Sequence, residues 1–544
     1  MKQSFWAAFT ARFLLFLFLL VVFVAAVFIA GASLHDPDTC WLLALGKRIF
    51  ENAALPQADP YSYTMKLFPG KHFILYQWLT EVLFFLSYKA LDLVGLLLLA
   101  AIVLTAAFVS LPLALARKVG IPGSFAVIGT ILTLLTAFFH FLCRPEIFSY
   151  LLLGVYISLT HFFLRNRKLE RIDWRAVTIF GAVMALWCNL HSGFVLGLLY
   201  LFVFAMVTAV ADFLANKRLN PINQTIIFCF LAGLLGSFIN PYGVGLWQYL
   251  PTLFFTPINK YIIELRPLTG KDFLEWTYHP FLILTGTALV FSGTALAKKL
   301  TLPALDSPRG QVVFSAIAVI GWIIAGITCR RLIPFAAIHL FAEGGYMLAL
   351  LHAQARGVQG QAASEEPEAA DAKLPFWERV DRRLDASYQP RGFMWFASIA
   401  VLACLGVYFV TVKISAPVLP QSGVAMQAPF AAIRFISDHR PAGNLFNDPQ
   451  FGDIMIWNLP DPPKVFIDTR FDMYGKEICE DYQTIFSAKA GWEDLMRRYK
   501  IAWIFVRPEA EIAKHLLAEK QWKVLYQDKF SIVLQSQDNA ETSK

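Results

Sequence analysis

Asp36 and Asp38, flanking Pro37, are the residues of this 544-residue chain whose type and spacing best suit chemistry. Two carboxylates so placed can hold one divalent cation, Mg or Mn, jointly, or one can take up a proton while its neighbour sets its basicity. His35 precedes them, and the helix-like run from Thr39 to Asn52 follows. Asp38, just before Thr39-Cys40-Trp41, also suits a helix N-cap, which explains one aspartate without explaining both. Glu81, in Gln77-Trp78-Leu79-Thr80-Glu81, is a third acidic candidate. A carboxylate among such apolar neighbours must be paired or face a polar cavity, so a substrate contact and a structural salt bridge are both open.

Cationic and polar residues fall at a series of turns. Arg144, Lys260, Arg330 and Arg331 are the residue types that neutralise a phosphate at a membrane surface, arginine being able to engage two oxygens at once. Outer-leaflet headgroups can attract them equally. Pro145 and Glu146 suit the first turn of a helix and its positive dipole end, which leaves Arg144 for chemistry. Trp187, Asn189 and His191, followed by Gly193, offer an aromatic face, an amide and an imidazole, although a lone histidine is commonly structural. Asn240 and Tyr242 open a second long loop. In the tail, Asp468, Arg470, Asp472 and Tyr474 read either as a binding edge or as a buried Asp–Arg pair holding a turn.

The elements that must position these residues are set by composition. With 57% hydrophobic and 16% charged residues and a mean hydropathy of +0.54, the chain reads as a mainly α, polytopic helical membrane protein. Since a span needs roughly 20 apolar residues, about eleven transmembrane helices are expected, near 11–31, 92–115, 123–142, 145–164, 176–189, 194–214, 225–239, 280–297, 312–328, 332–351 and 393–413. The middles of these spans hold almost no ionisable residues, which disfavours an ion-coupled transporter. Lys and Arg are richer in one set of alternate loops, which places the N-terminus in the cytoplasm and the tail outside. Nearly every polar motif then lands on the outer side, where one shared site is expected. The net charge of +8 reads as topology, with no basic soluble domain for nucleic acid.

Domain limits follow: a transmembrane domain over 1–352 with a first outward loop at 33–78, a cytoplasmic linker at 353–392, a last span at 393–413, and an extracytoplasmic domain at 428–544. Residues 377–384 within the linker can form a short amphipathic helix on the bilayer. The tail alternates β-rich runs, Asn444 to Asn447, Lys464 to Asp468, Ala502 to Val506, Trp522 to Tyr526 and Ser531 to Leu534, with helix-like segments, so it reads as a small α/β domain. The seven cysteines show no CxxC or zinc spacing, and a disulfide among Cys40, Cys143 and Cys479 is not fixed by spacing.

Several of these motifs together resemble a known group. Asp36-Pro37-Asp38-Thr39-Cys40-Trp41, Asp59-Pro60-Tyr61-Ser62-Tyr63-Thr64, Trp78-Leu79-Thr80-Glu81, Trp187-Cys188-Asn189-Leu190-His191-Ser192-Gly193 and Asn240-Pro241-Tyr242-Gly243 look like the bacterial polytopic membrane proteins related to the GT-C superfamily of glycosyltransferases. In the tail, Asn447-Asp448, Phe451-Gly452-Asp453 and Val465-Phe466-Ile467-Asp468-Thr469-Arg470 extend the likeness over most of the chain.

The resemblance implies a GT-C-like fold in the bacterial inner membrane. It implies transfer of a sugar from a polyprenyl-phosphate donor to a lipid, glycan or protein acceptor on the outer side, with Asp36 or Asp38 as base or metal ligand. The tail departs from the oligosaccharyltransferase pattern, having no WWDYG-type sequence. A non-catalytic assembly protein, using the tail as its binding edge, is the main alternative reading, and a lipid-linked-substrate transporter a weaker one.

Overall fold

A computed structural model of the chain describes residues 36–68, 73–165, 167–255, 262–298, 309–360, 429–519 and 521–537. His35, Lys260, the expected spans at 11–31 and 393–413, and the expected surface helix at 377–384 lie outside the described residues. Within them, seven helices are long and apolar enough to cross a membrane, and two shorter apolar helices, Trp174–Leu190 and Pro221–Gly236, accompany them. Every expected span that falls on described residues is helical. The protein is an integral membrane protein, mainly helical, with a small sheet-containing region near its C-terminus.

The described residues fall into two compact units. The first holds Leu97–Pro241 and the described part of Ile263–Ile414. Its helices are apolar on nearly all sides, as burial against other helices and against lipid requires. Leu235, Leu214 and Val290 stay more than half exposed, and small residues let backbones approach: a Cβ on Gly236 would stand 2.4 Å from the carbonyl oxygen of Gly181.

The core of this unit corrects one expectation. Glu343, in the middle of the helix Ile333–Gly360, is fully buried, as is Arg165. A π-turn over Thr160–Leu164 ends the preceding helix and delivers Arg165, whose Nη2 donates to Glu343 Oε2 at 2.7 Å while Nη1 donates to Ser315 Oγ at 3.1 Å. The guanidinium lies over the rings of Phe204, Phe314 and Tyr346. An ionisable residue is tolerated at this depth because a counter-ion from a sequence-distant loop reaches it.

The second unit holds the described parts of Ser33–Leu96, Tyr242–Ile262 and Ser415–Lys544. Its four-stranded sheet has the order β1-β2-β4-β3, with β1 Asn444–Asn447, β2 Ile501–Val506, β3 Trp522–Gln527 and β4 Ile532–Ser536. β1 and β2 are parallel, and β4 runs antiparallel to β2 and β3. β2, entirely apolar and buried along its length, forms the centre.

Two expectations change here. Lys464 to Asp468 is not a strand of the sheet. It makes one bridge, Val465 with Ser62, and its neighbours bond to the Asn447 side chain, through Phe466 N to Oδ1 at 2.9 Å and Ile467 O from Nδ2 at 2.7 Å. The backbone partners that would have continued a ladder come from the first loop instead. That loop, expected with the transmembrane domain, packs with the tail: Met65 is buried in one cluster with Phe446, Phe466, Tyr482 and Ile504, and Tyr63, Phe68 and Phe73 pack against it.

Candidate active site

In the second unit, the helix Asp38–Asn52 begins at Asp38 itself, with Pro37 in the N-cap position and no side-chain cap. Asp38 therefore does not cap this helix, and its own N–H points to Asp36 Oδ1 at 3.3 Å. Asp38 Oδ1 instead accepts a short bond from the Thr469 hydroxyl at 2.5 Å, and the same hydroxyl accepts from Trp41 Nε1 at 3.2 Å. Asp36 is buried, at 9% exposure, and Asp38 half-buried.

Arg470 follows directly and is buried between two carboxylates. It grips Asp468 with Nε at 2.9 Å and Nη2 at 2.5 Å, and reaches Asp59 Oδ1 with Nη1 at 2.8 Å. Trp41 and Tyr61 present their rings to the guanidinium at 5.7 and 5.8 Å. Tyr474 donates to Asp468 at 2.8 Å, and Tyr249 to Asp472 at 2.7 Å. Of the two readings of this tail cluster, the buried pair holding a turn is the one seen, and the binding edge is not.

Two further carboxyls lie in this unit without full hydrogen bonding. Asp453 accepts Thr469 N–H on Oδ1 at 3.2 Å, while its buried Oδ2 has no partner. Burial, then the charges of Asp468 and Asp38, hold its carboxyl well above the usual carboxylate range. Glu81 is fully buried and, among the described residues, neither of its oxygens has a hydrogen-bond partner and no salt bridge reaches it; Arg470 is the cation whose field does. Gly46 allows the two helices to meet there, since a Cβ would lie 2.0 Å from the Glu81 carbonyl oxygen. Among the described residues no group of three or more His, Cys, Asp or Glu side chains is arranged to hold a metal ion.

The first unit gathers a second set. Glu146 opens the helix Glu146–Leu159, as expected, and also accepts Arg331 Nε at 2.9 Å. Arg144 reaches Glu264 at 3.5 Å, and Arg330 pairs with Asp272 at 2.8 Å. Arg144 and Arg330 are thus tied to acids that the sequence did not mark, which corrects the reading of Arg144 as left over for chemistry. His191 Nδ1 lies 2.8 Å from Ser149 Oγ, to which Trp187 Nε1 donates at 2.8 Å.

Four other expected ligand contacts have structural duties. Trp187 is fully buried, so it offers no open aromatic face. Asn189 Nδ2 donates to the carbonyls of Ala185 and Ile239 at 2.7 and 2.8 Å, and Asn240 Nδ2 to that of Ser237 at 2.9 Å. In the second unit, Tyr242 accepts Leu75 N–H at 3.1 Å. Sequence reasoning missed Ser149 and Asp272, placed Glu264 in the second long loop without a role, and carried Thr469 and Asp453 only through a resemblance, since nothing local marks a partner on another element.

No protein-family model matches the chain, and no curated protein does. Among solved structures, the Archaeoglobus fulgidus oligosaccharyltransferase tethered with an acceptor peptide containing the NVT sequon superposes with a TM-score of 0.52 at 14% identity, over 92% of this chain and 70% of that one. The fold is that of the GT-C glycosyltransferases. The archaeal AglB from the same organism, in complex with an inhibitory peptide and a dolichol-phosphate, gives 0.50 at 13% identity over the same shares. ArnT from Cupriavidus metallidurans in the apo state gives 0.47 at 10% identity, over 94% of this chain and 97% of that one. At these identities the GT-C likeness speaks for architecture, and function rests on the residues above.

Proposed function

We propose that this protein is a membrane glycosyltransferase of the inner (plasma) membrane, moving a sugar from a polyprenyl-phosphate donor to an acceptor on the extracytoplasmic side. The observation that carries this reading is the bond from Thr469 to Asp38. It anchors the first turn of the helix Asp38–Asn52 and so fixes the backbone that presents Asp36. Asp38 is then the anchor and Asp36 the base. Asp36 takes the proton of an acceptor hydroxyl as the acceptor oxygen bonds to the anomeric carbon; the bond from that carbon to the phosphate oxygen breaks, and the polyprenyl phosphate leaves with the electron pair.

The test is a deletion strain complemented with wild type, Asp36→Asn or Asp38→Asn, comparing glycolipids and cell-surface glycans. One sugar unit should disappear and return only with an intact Asp36, whose loss should slow transfer about 10²- to 10⁴-fold. Full restoration by a folded, inserted Asp36→Asn protein sinks the assignment. An unchanged glycan profile with a protein-assembly defect would favour the non-catalytic alternative.

A further inference from the structure

His191 sits at the C-terminal end of the helix Trp174–Leu190, where the chain turns into the helix Phe194–Asn216. Its Nδ1 faces two groups at once. Gly193 N–H donates to it at 3.1 Å, and Ser149 Oγ lies at 2.8 Å. The backbone N–H can only donate, so Nδ1 must be an acceptor. Ser149 Oγ already accepts the Trp187 indole N–H at 2.8 Å, and its own proton is therefore directed at Nδ1. With two donors on Nδ1, the ring proton of the neutral imidazole belongs on Nε2.

The arrangement is tightly built. A Cβ at Gly193 would stand 2.4 Å from Ser149 Oγ and 3.0 Å from His191 Nδ1, and one at Gly197 would stand 2.4 Å from the Trp187 ring. Both glycines are thus needed to bring indole, hydroxyl and imidazole into line. Burial, with a contribution from the Arg331 charge, pushes the imidazole down to about 4, so the ring stays neutral at physiological pH.

The other side of the ring is open. His191 is half-buried, and Nε2 makes no hydrogen bond among the described residues. In the same unit, Arg331 gives only its Nε to Glu146 and keeps both Nη groups without a partner among the described residues, with 32% of its side chain exposed. His191 and Arg331 both lie within electrostatic reach of Glu146 and of each other. Their remaining polar atoms, His191 Nε2–H and the Arg331 Nη groups, are donors only, one neutral and one cationic, as a phosphate oxyanion requires.

We propose that His191 is a substrate-binding residue, locked by Ser149 and Gly193 as the Nε2–H tautomer, which donates a hydrogen bond to a phosphate oxygen of the lipid-linked donor beside Arg331. This rests on the polyprenyl-phosphate reading above, but the lock itself does not. Nδ1 is never the proton carrier in this scheme, and the residue serves neither as base nor as metal ligand.

Two measurements on the full-length protein in lipid nanodiscs test it. With histidine ¹⁵N labelling and His191→Gln to identify the signal, His191 should show an unprotonated Nδ1 and a protonated Nε2 at neutral pH. An Nδ1–H tautomer or an imidazolium there overturns the lock. Binding of a polyprenyl phosphate is then compared with that of the same polyprenyl alcohol. The Gln side chain places its amide N–H near the position of Nε2, whereas that of Asn mimics Nδ1. His191→Gln should therefore keep most of the preference for phosphate, and His191→Asn should lose about 10- to 100-fold of it, with the alcohol unaffected. If wild type prefers phosphate and His191→Asn, melting as wild type does, binds it equally well, the role of His191 fails while the donor reading stands. If wild type shows no preference for phosphate, the donor reading falls and takes the role of His191 with it.

Discussion

At the scale of single residues, a buried carboxyl held well above the usual range is the most direct object to test. Asp453 has a folded-state affinity for its proton well above that of an unfolded aspartate, whose pKa is about 3.9. The folded state then holds the proton more tightly than the unfolded one, so this group costs stability as pH rises through that interval and costs nothing below it. Asp453→Asn keeps an acceptor for Thr469 N–H and removes the ionisation. Its thermal midpoint at pH 7 should equal or exceed that of wild type, with the difference shrinking as pH falls toward 4. A variant several degrees less stable at pH 7 would show that the carboxyl is ionised and useful. The chemistry of this region was half legible in the sequence. Asp36 and Asp38 stand out by type and spacing, but the bond that distinguishes Asp38 comes from Thr469, 431 residues away in the chain, and no local pattern announces such a partner.

Helices and strands show the same boundary between what periodicity carries and what it does not. Apolar length located every span on described residues, since the requirement to satisfy backbone groups in lipid is a property of each segment alone. The strand expected over Lys464 to Asp468 failed because alternation records which side chains are buried and leaves open who supplies the backbone partner. Glu343 was passed over for a related reason: its counter-ion arrives from the end of another helix. Replacing it tests that contact. Glu343→Gln leaves the Arg165 guanidinium buried without its charge partner, at a cost of about 3–5 kcal/mol. The Arg165→Met/Glu343→Met double variant should recover most of this loss in thermal unfolding in detergent. Equal stability of Glu343→Gln and wild type would mean that the pair is not ionised.

For the molecule as a whole, the composition shift near residue 428 announces a change of architecture without announcing its membership, for the unit around the sheet takes in the first loop as well. Residues 428–544 expressed alone should therefore fail to fold cooperatively, lacking Met65 and the rings of Tyr63 and Phe68 that complete the core. A single sharp unfolding transition of that fragment would contradict this. Arg470 imposes a stronger version of the same dependence. Arg470→Met leaves Asp59 and Asp468 buried without a cation, again at about 3–5 kcal/mol, and should abolish accumulation of the full-length protein in membranes.

The contact from Arg470 to Asp59 spans 411 residues, and it also sets an order in time. During synthesis, at about 5–20 residues per second, the first loop emerges long before its cation exists. Asp59 must wait in water until the ribosome has read past residue 470. The acidic region of this protein is therefore completed only after residue 470 has been made, and a polypeptide interrupted short of that point lacks the cation that joins Asp59 to Asp468.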